Sequence, residues 1–144
     1  MKTTDFLEIK KTKSDFPQVK ITTSKEGADF IRQFYSDDIG IFESFFLLIL
    51  NRAMKTIAYA KISQGGTAGT VVDTKIVCKY AVDSLGSAVI LAHNHPSGTL
   101  RPSDQDVKIT ETLKKALAIF DIQVIDHVIL TEESYFSFAD EGKL

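Results

Sequence analysis

The feature that most constrains this fold is the short apolar run Ala88–Ala92, which is followed at once by two closely spaced histidines. A continuous apolar run of this length predicts a strand that is buried on both faces. Such a strand needs helices on each side of its sheet. The preceding helical pattern, which Asp73 or Thr74 opens and Gly86 ends, can supply one of them. We therefore expect an α/β chain in which helices flank a mixed β-sheet.

The other strands of this sheet are predicted from apolar segments bounded by turn residues. The segments Glu43–Leu50 and Thr56–Ile62 are separated by a turn at Asn51, and together they predict a hairpin. Ile122–Leu130 and Tyr135–Phe138 are predicted to be the closing strands.

Two further helices are predicted from apolar residues at helical spacing. Ser24 is predicted to cap the first helix, whose buried face would carry Ala28, Ile31, Phe34 and Tyr35. The second begins at Ser103, with one face formed by Asp106, Ile109, Leu113, Ala116, Leu117 and Phe120. The Gly65–Gly69 segment lacks the Gly-Lys-Ser/Thr ending of a phosphate loop and is interpreted as a plain turn.

Length and charge limit the organisation of the chain. Its 144 residues, 44% of them hydrophobic, are those of one globular domain spanning residues 1–144. The formal net charge of −2 provides no general attraction for nucleic acid or an anionic membrane. Five lysines lie near the N-terminus, and we interpret residues 1–22 as containing a flexible, solvated arm.

Cysteine content and hydropathy limit the protein's environment. The lone Cys78 excludes an internal disulfide and a zinc site built from several cysteines, and its apolar pattern predicts a buried structural thiol. The N-terminus lacks the apolar core of a signal peptide. The longest dense apolar stretch, Ile39–Leu50, is too short to span a bilayer. We expect a soluble, cytoplasmic protein.

The residues that follow the central strand carry the chemistry. His93 and His95 are spaced i and i+2, so in extended backbone both imidazoles point the same way. Pro96 blocks helix continuation and a turn at Ser97–Gly98 brings the chain back. The next helix then places Asp106 in its first turn, on the inward face. Two imidazoles and one carboxylate form a catalytic zinc set that leaves a fourth position for water.

Each half of this pattern also has a purely structural interpretation. Ser103 and Asp106 can form a helix capping pair, and the two histidines can lie on the surface of a turn. The combination is more informative, because chance placement of these residue types at these offsets is on the order of one in ten thousand.

Glu43 is the only charged residue in the stretch Ile39–Leu50. In a strand it would share a face with Phe45 and Leu47, where an ionised carboxylate is costly unless a metal, a water or a cation accompanies it. A general base beside a metal site meets this condition, whereas a position at the solvent end of the strand is the structural alternative.

These residues resemble the JAMM (MPN+) metalloproteases, whose pattern is Glu, then His-x-His, seven residues, Ser, two residues and Asp. The surrounding sequence resembles one family more narrowly, the RadC family of bacterial proteins. The segments that carry this resemblance are His93–Gly98, Pro102–Ser103, Asp126–Ile129 and Tyr135–Phe138, with Gly142. The resemblance extends over roughly Phe42–Leu144. It implies a JAB/MPN, cytidine-deaminase-like architecture. Longer members carry an N-terminal helix-hairpin-helix region associated with DNA, for which this chain has no room.

Carried over residue by residue, the resemblance makes His93, His95 and Asp106 the ligands of one Zn²⁺. Ser103 would donate a hydrogen bond to the oxyanion of a tetrahedral intermediate. Glu43 would move the proton of a zinc-activated water that attacks an amide carbonyl. The implied function is that of a zinc-dependent metallopeptidase or isopeptidase whose peptide or isopeptide substrate is not specified by the sequence.

The alternative function is that of a non-catalytic accessory protein associated with DNA repair or a mobile element. The acidic net charge and the missing helix-hairpin-helix region argue against DNA binding by this chain alone, and salt-dependent retention on duplex DNA discriminates the two hypotheses. A zinc deaminase is excluded because its Pro-Cys-x-x-Cys half needs more than one cysteine.

Three further interpretations concern individual residues. His127 is interpreted as a buried core residue, with support of the metal site as the alternative. Arg101 is expected to face solvent, and recognition of a substrate carboxylate is the alternative. A homodimer is hypothesised through exposed apolar surface near Phe45 or Tyr135–Phe138.

Overall fold

The computed structural model describes residues 1–66 and 69–144. Within these residues the elements follow in the order α1 (Ser24–Arg32), a short 3-10 helix (Asp37–Gly40), β1 (Ser44–Leu50), β2 (Thr56–Gln64), α2 (Thr74–Asp83), β3 (Ala88–Asn94), α3 (Asp104–Ala118), β4 (Gln123–Leu130) and β5 (Tyr135–Ser137).

The five strands form one mixed sheet in the order β2-β1-β3-β4-β5. β3 and β4 are parallel, and the remaining neighbours are antiparallel. β3 occupies the centre and all seven of its residues are buried, which explains its continuous apolar sequence. The predicted α/β architecture, a mixed sheet flanked by helices, is confirmed.

Alternate residues of the central strands face two separate cores. One core lies between the sheet and α1, and its strand residues include Leu48, Leu50, Ala88 and Ile90. The other core lies under α2 and α3, and its strand residues include Leu47, Ile49, Val89 and Leu91. The sheet is therefore the middle layer of three, and each of its faces is apolar because each is covered.

The N-terminal segment attaches to the sheet before the predicted arm ends. Residues 1–14 are exposed and carry no helix or strand. Phe16 packs against the rings of Phe30 and Phe34. The Val19 amide donates to the hydroxyl of Thr56 (3.0 Å), and the Ile21 amide donates to the carbonyl of Met54 (2.9 Å). Residues 16–21 thus form part of the folded structure.

The helix at residue 24 differs from its prediction at both ends. Thr23, one residue earlier than predicted, is the N-cap, and its side chain accepts from the amide of Glu26. The helix ends at Arg32, so Phe34 and Tyr35 lie beyond it, although both still pack on the same core.

The end of α2 corrects the predicted role of Gly86. The left-handed residue is Leu85 (φ 53°), and the Gly86 amide donates to the carbonyl of Ala81 (3.2 Å). A Cβ on Gly86 would lie 2.5 Å from Cγ2 of Ile49. Glycine is required there by close packing against β1, while the helix stop is made by the residue before it. The predicted cap at Asp73 is confirmed.

Exposure corrects two further predictions. Phe120 lies beyond the end of α3 and is 52% exposed, so it does not belong to the buried helix face. Cys78 is half-buried, and burial raises the pKa of its thiol. Phe45 and Phe138 are fully buried, whereas Tyr135 and Phe136 are half-buried, and the homodimer stays a prediction. The predicted turn Gly65–Gly69 falls partly on Thr67 and Ala68, which lie outside the described residues. Among the described residues, no helix is long and apolar enough to cross a membrane.

Candidate metal centre

Strand direction brings distant residues to one edge of the sheet. Because β1 runs antiparallel to β3, the start of β1 lies beside the end of β3, with Phe45 opposite His93. Glu43 directly precedes β1, so it lies at the same edge as the two predicted histidines. The chain then turns after β3 and begins α3 above this edge, which returns Asp106 to it.

The two histidines meet as their spacing predicts. The His95 amide donates to the carbonyl of Leu130 (2.9 Å), which extends the pairing of β3 with β4 by one residue. The backbone therefore stays extended and the Nε2 atoms of His93 and His95 lie 3.0 Å apart. The predicted turn follows, with the Gly98 amide donating to the carbonyl of His95 (3.0 Å) and a φ of 87° that suits glycine.

Asp106 completes a triangle of three donor groups, in which each histidine nitrogen lies near a different oxygen of the carboxylate. Its Oδ1 lies 3.3 Å from Nε2 of His93, and its Oδ2 lies 3.3 Å from Nε2 of His95. Two atoms bound to one zinc ion at about 2.0–2.1 Å in tetrahedral geometry are about 3.3 Å apart. The 3.0 Å between the two Nε2 atoms, and the 3.3 Å from each Nε2 to its own oxygen of Asp106, are separations of this size. This donor set fits a zinc ion.

The hydrogen bond on the far side of His95 supports the same conclusion. Its Nδ1 lies 2.7 Å from the carbonyl oxygen of Thr99, which can only accept, so Nδ1 carries the proton. In the neutral ring Nε2 is then an unprotonated lone pair, the form that binds a metal ion.

The electrostatics of the site keep the carboxylate charged. Burial alone would raise the pKa of Asp106, but the hydrogen bonds that His93 and His95 donate when Nε2 is protonated outweigh it and hold the pKa well below its usual range. Burial alone would lower the pKa of His95, and the hydrogen bond to Asp106 outweighs it and raises that pKa. Asp106 is therefore anionic at neutral pH, as a metal ligand must be.

Ser103 and Asp106 form the capping box that the structural interpretation predicts. The Ser103 hydroxyl accepts from the Asp106 amide (3.1 Å), and the Ser103 amide donates to Oδ2 of Asp106 (2.8 Å). The cap orients the carboxylate as well as the helix, and the hydroxyl proton of Ser103 is not used by it. The cap and a role in chemistry are thus compatible.

Glu43 lies farther from the triangle. Its Oε1 is 4.0 Å from Nε2 of His95, and its side chain is 15% exposed. Glu43, His93 and His95 also form a group whose ligand atoms lie within 4.8 Å of one another. Asp106 is nearer than Glu43 to both nitrogens.

A cavity of about 700 Å³ opens over these residues. Its wall includes Glu43, His93, His95, Ser103 and Asp106. Arg101 also lines the cavity and is exposed, so the structure is compatible with both interpretations of that residue. The predicted site residues therefore share one cleft.

Sequence reasoning missed Asn94, which lies between the two histidines and points to the opposite face. It is fully buried, and its amide donates to the carbonyls of Ile39 and Phe42 (both 2.7 Å). Its Oδ1 accepts from the amide of Ser44 (2.8 Å). Three hydrogen bonds thus brace the backbone on both sides of Glu43. The only signal in the sequence is an amide residue inside an otherwise apolar strand.

Sequence reasoning also missed Thr110, and it left His127 undecided. His127 is fully buried and contacts both His93 and Thr110, so it is a core residue and a neighbour of the site at once. Burial, and next the nearby His93, hold the pKa of His127 well below its usual value.

Comparison with known sequences identifies the family. Residues 21–143 match the family described as RadC-like JAB domain. The chain belongs to this family. A UPF0758 protein of Flavobacterium johnsoniae is 42% identical over 123 residues, which are 85% of this chain and 53% of that relative. A UPF0758 protein of Porphyromonas gingivalis is 45% identical over 103 residues, which are 71% of this chain and 45% of that relative. The RadC-like JAB domain thus spans about half the length of these curated relatives.

Proposed function

We propose that this RadC-like JAB domain is a zinc-dependent metallopeptidase or isopeptidase. In this proposal His93, His95 and Asp106 hold the metal, Glu43 is the general base and Ser103 donates to the oxyanion. The observation that carries the proposal is the convergence of two imidazole nitrogens and one carboxylate at separations of 3.0–3.3 Å inside a cleft.

Bound zinc would supply a Lewis acid and would lower the pKa of a water molecule towards 7. Glu43 is placed to take a proton at its Oε1, because that atom lines the cavity 4.0 Å from Nε2 of His95. The same carboxyl group would later return the proton to the leaving amine. The Ser103 hydroxyl would stabilise the developing oxyanion, a contribution of about two to three decades in rate for one donor.

The ligand assignment is tested by metal analysis of the purified chain beside His95→Ala. One zinc per chain in the wild type, lost in the variant, supports the assignment. Zinc content that is unchanged in His95→Ala overturns it.

The activity is tested with zinc-loaded protein and a panel of peptides and isopeptide-linked substrates. We expect hydrolysis by the wild type, its loss in Glu43→Gln, and its retention in Glu111→Gln. The control removes a carboxylate from an exposed position on α3. Zinc-loaded wild type that cleaves no member of the panel overturns the proposed hydrolase.

A further inference from the structure

A buried chain of hydrogen bonds leads away from His93. Nδ1 of His93 lies 2.8 Å from Nε2 of His127, and Nδ1 of His127 lies 2.6 Å from Oγ1 of Thr110. His127 is 0% exposed and Thr110 is 2% exposed, so no solvent competes for these contacts. The Thr110 hydroxyl in turn contacts the backbone carbonyl of Asp106 (2.6 Å).

The contact between Thr110 and Asp106 sets the donor and the acceptor of every other hydrogen bond in this series. A carbonyl oxygen can only accept, so Thr110 donates its single hydroxyl proton to Asp106. Oγ1 must then accept from His127, which places the proton of that ring on Nδ1. A neutral imidazole carries one N–H, so Nε2 of His127 accepts from Nδ1 of His93. His93 is thereby left with a lone pair on Nε2, the atom that faces Asp106 and His95.

Packing holds the His127 ring in the orientation that these bonds need. The ring stacks on Phe138 (centroids 4.7 Å apart, interplanar angle 11°) and meets Phe45 edge to face (5.6 Å, 70°). A half-turn of the ring would place carbon atoms against both partners. A charged imidazolium is disfavoured because the ring is fully buried and both nitrogens contact neutral groups.

We propose that His127 and Thr110 are positioning residues that fix the tautomer of the neutral His93 ring, so that Nε2 rather than Nδ1 is the nitrogen that can bind a metal ion. The inference rests on the zinc site of the proposed function. It extends that site, because the same hydroxyl bonds the backbone of one ligand, Asp106, and through His127 the ring of another, His93. Such outer contacts raise metal affinity by orienting the ligands and fixing their protonation.

The tautomers can be observed directly, since the chain has three histidines. Long-range ¹H–¹⁵N correlation spectra of the full chain at about pH 8, where rings of ordinary pKa are neutral, distinguish Nδ1–H from Nε2–H. We expect Nδ1–H at His93 and His127, in metal-free and in zinc-loaded protein. Thr110→Val should populate the Nε2–H form of His127. An Nε2–H tautomer at His127 in the wild type overturns the proposal.

Zinc affinity provides a second measurement that does not depend on activity. Competition with a chromophoric chelator should show about 10- to 100-fold weaker binding by Thr110→Val and close to wild-type binding by Thr110→Ser. His127→Leu should weaken binding more than His127→Gln, because glutamine can accept from His93 and donate to Thr110. Equal affinity of Thr110→Val and Thr110→Ser contradicts the proposal.

Thr56→Val is the matched control. Thr56 is also buried (4% exposed), and its hydroxyl accepts a backbone hydrogen bond on the far edge of the sheet. Both valine variants lose a hydrogen bond and some stability, but we expect only Thr110→Val to lose zinc affinity. A result in which the zinc-loaded protein hydrolyses no substrate would not change the expected tautomers or zinc affinities. The two proposals can therefore be refuted independently.

Discussion

The bracing of Glu43 by Asn94 can be tested by removing the Asn94 amide. Asn94→Ala deletes three hydrogen bonds of 2.7–2.8 Å and leaves the amide of Ser44 and the carbonyls of Ile39 and Phe42 without partners. A net value of about 0.5–1.5 kcal/mol for each of the three neutral hydrogen bonds gives an expected loss of about 1.5–4.5 kcal/mol in the free energy of unfolding.

Urea unfolding of metal-free protein measures this loss without a contribution from zinc binding. With a denaturant slope of about 2 kcal/mol per molar urea, the middle of the usual range, the midpoint should fall by about 1–2 M. Asn51→Ala is the control, because Asn51 also accepts two backbone hydrogen bonds, from Ala53 and Lys55, but in an exposed turn. It should cost clearly less, since water can replace the lost partner.

Asn94→Asp is an isosteric companion to this experiment. At neutral pH it places a carboxylate against two carbonyl oxygens, whereas the protonated acid can donate to one of them. Its deficit relative to wild type should therefore shrink as the pH falls towards about 4. A loss below about 1 kcal/mol in Asn94→Ala would refute the reasoning, because it would mean that these hydrogen bonds do not hold the segment.

Three other substitutions test separate parts of the structure. Ser103→Ala should cost about 0.5–2 kcal/mol of stability through the lost helix cap, and it should also reduce hydrolysis. Thr23→Ala, at the cap of α1, should cost stability alone. Equal hydrolysis by both variants would contradict the role of Ser103. Gly86→Ala should cost about 1–3 kcal/mol, because its Cβ would lie 2.5 Å from Ile49. Gly66→Ala, where a Cβ meets no atom of the described residues within 4 Å, should cost much less in the same urea experiment. Burial raises the pKa of Asp126, although the hydrogen bonds that its carboxylate accepts act in the opposite direction. Between the unfolded pKa of about 3.9 and the higher folded pKa, the folded chain therefore binds more protons than the unfolded chain. Wild-type stability should therefore fall relative to Asp126→Asn as the pH rises through this window, by at most about 1.4 kcal/mol per pH unit, and parallel pH profiles of urea stability would contradict the assignment.

The sequence determined the elements of this protein because their patterns are local. The apolar run of β3, the i, i+2 spacing of its histidines and the Ser103–Asp106 capping box need only a few neighbouring residues to be recognised. Helix ends were less well determined. At α2 the left-handed residue is Leu85, whereas Gly86 is needed because it packs too closely against Ile49 for a side chain.

Tertiary structure decided everything that depends on strand pairing. Glu43 reaches the histidines because β1 runs antiparallel to β3, and His127 reaches His93 across 34 residues because β4 pairs in parallel beside it. Neither register is encoded by periodicity, since each depends on how the whole sheet buries its two faces. The sequence alone thus indicated the three candidate ligands, whereas only the folded sheet decided which buried groups contact them and that Glu43 lies beside them.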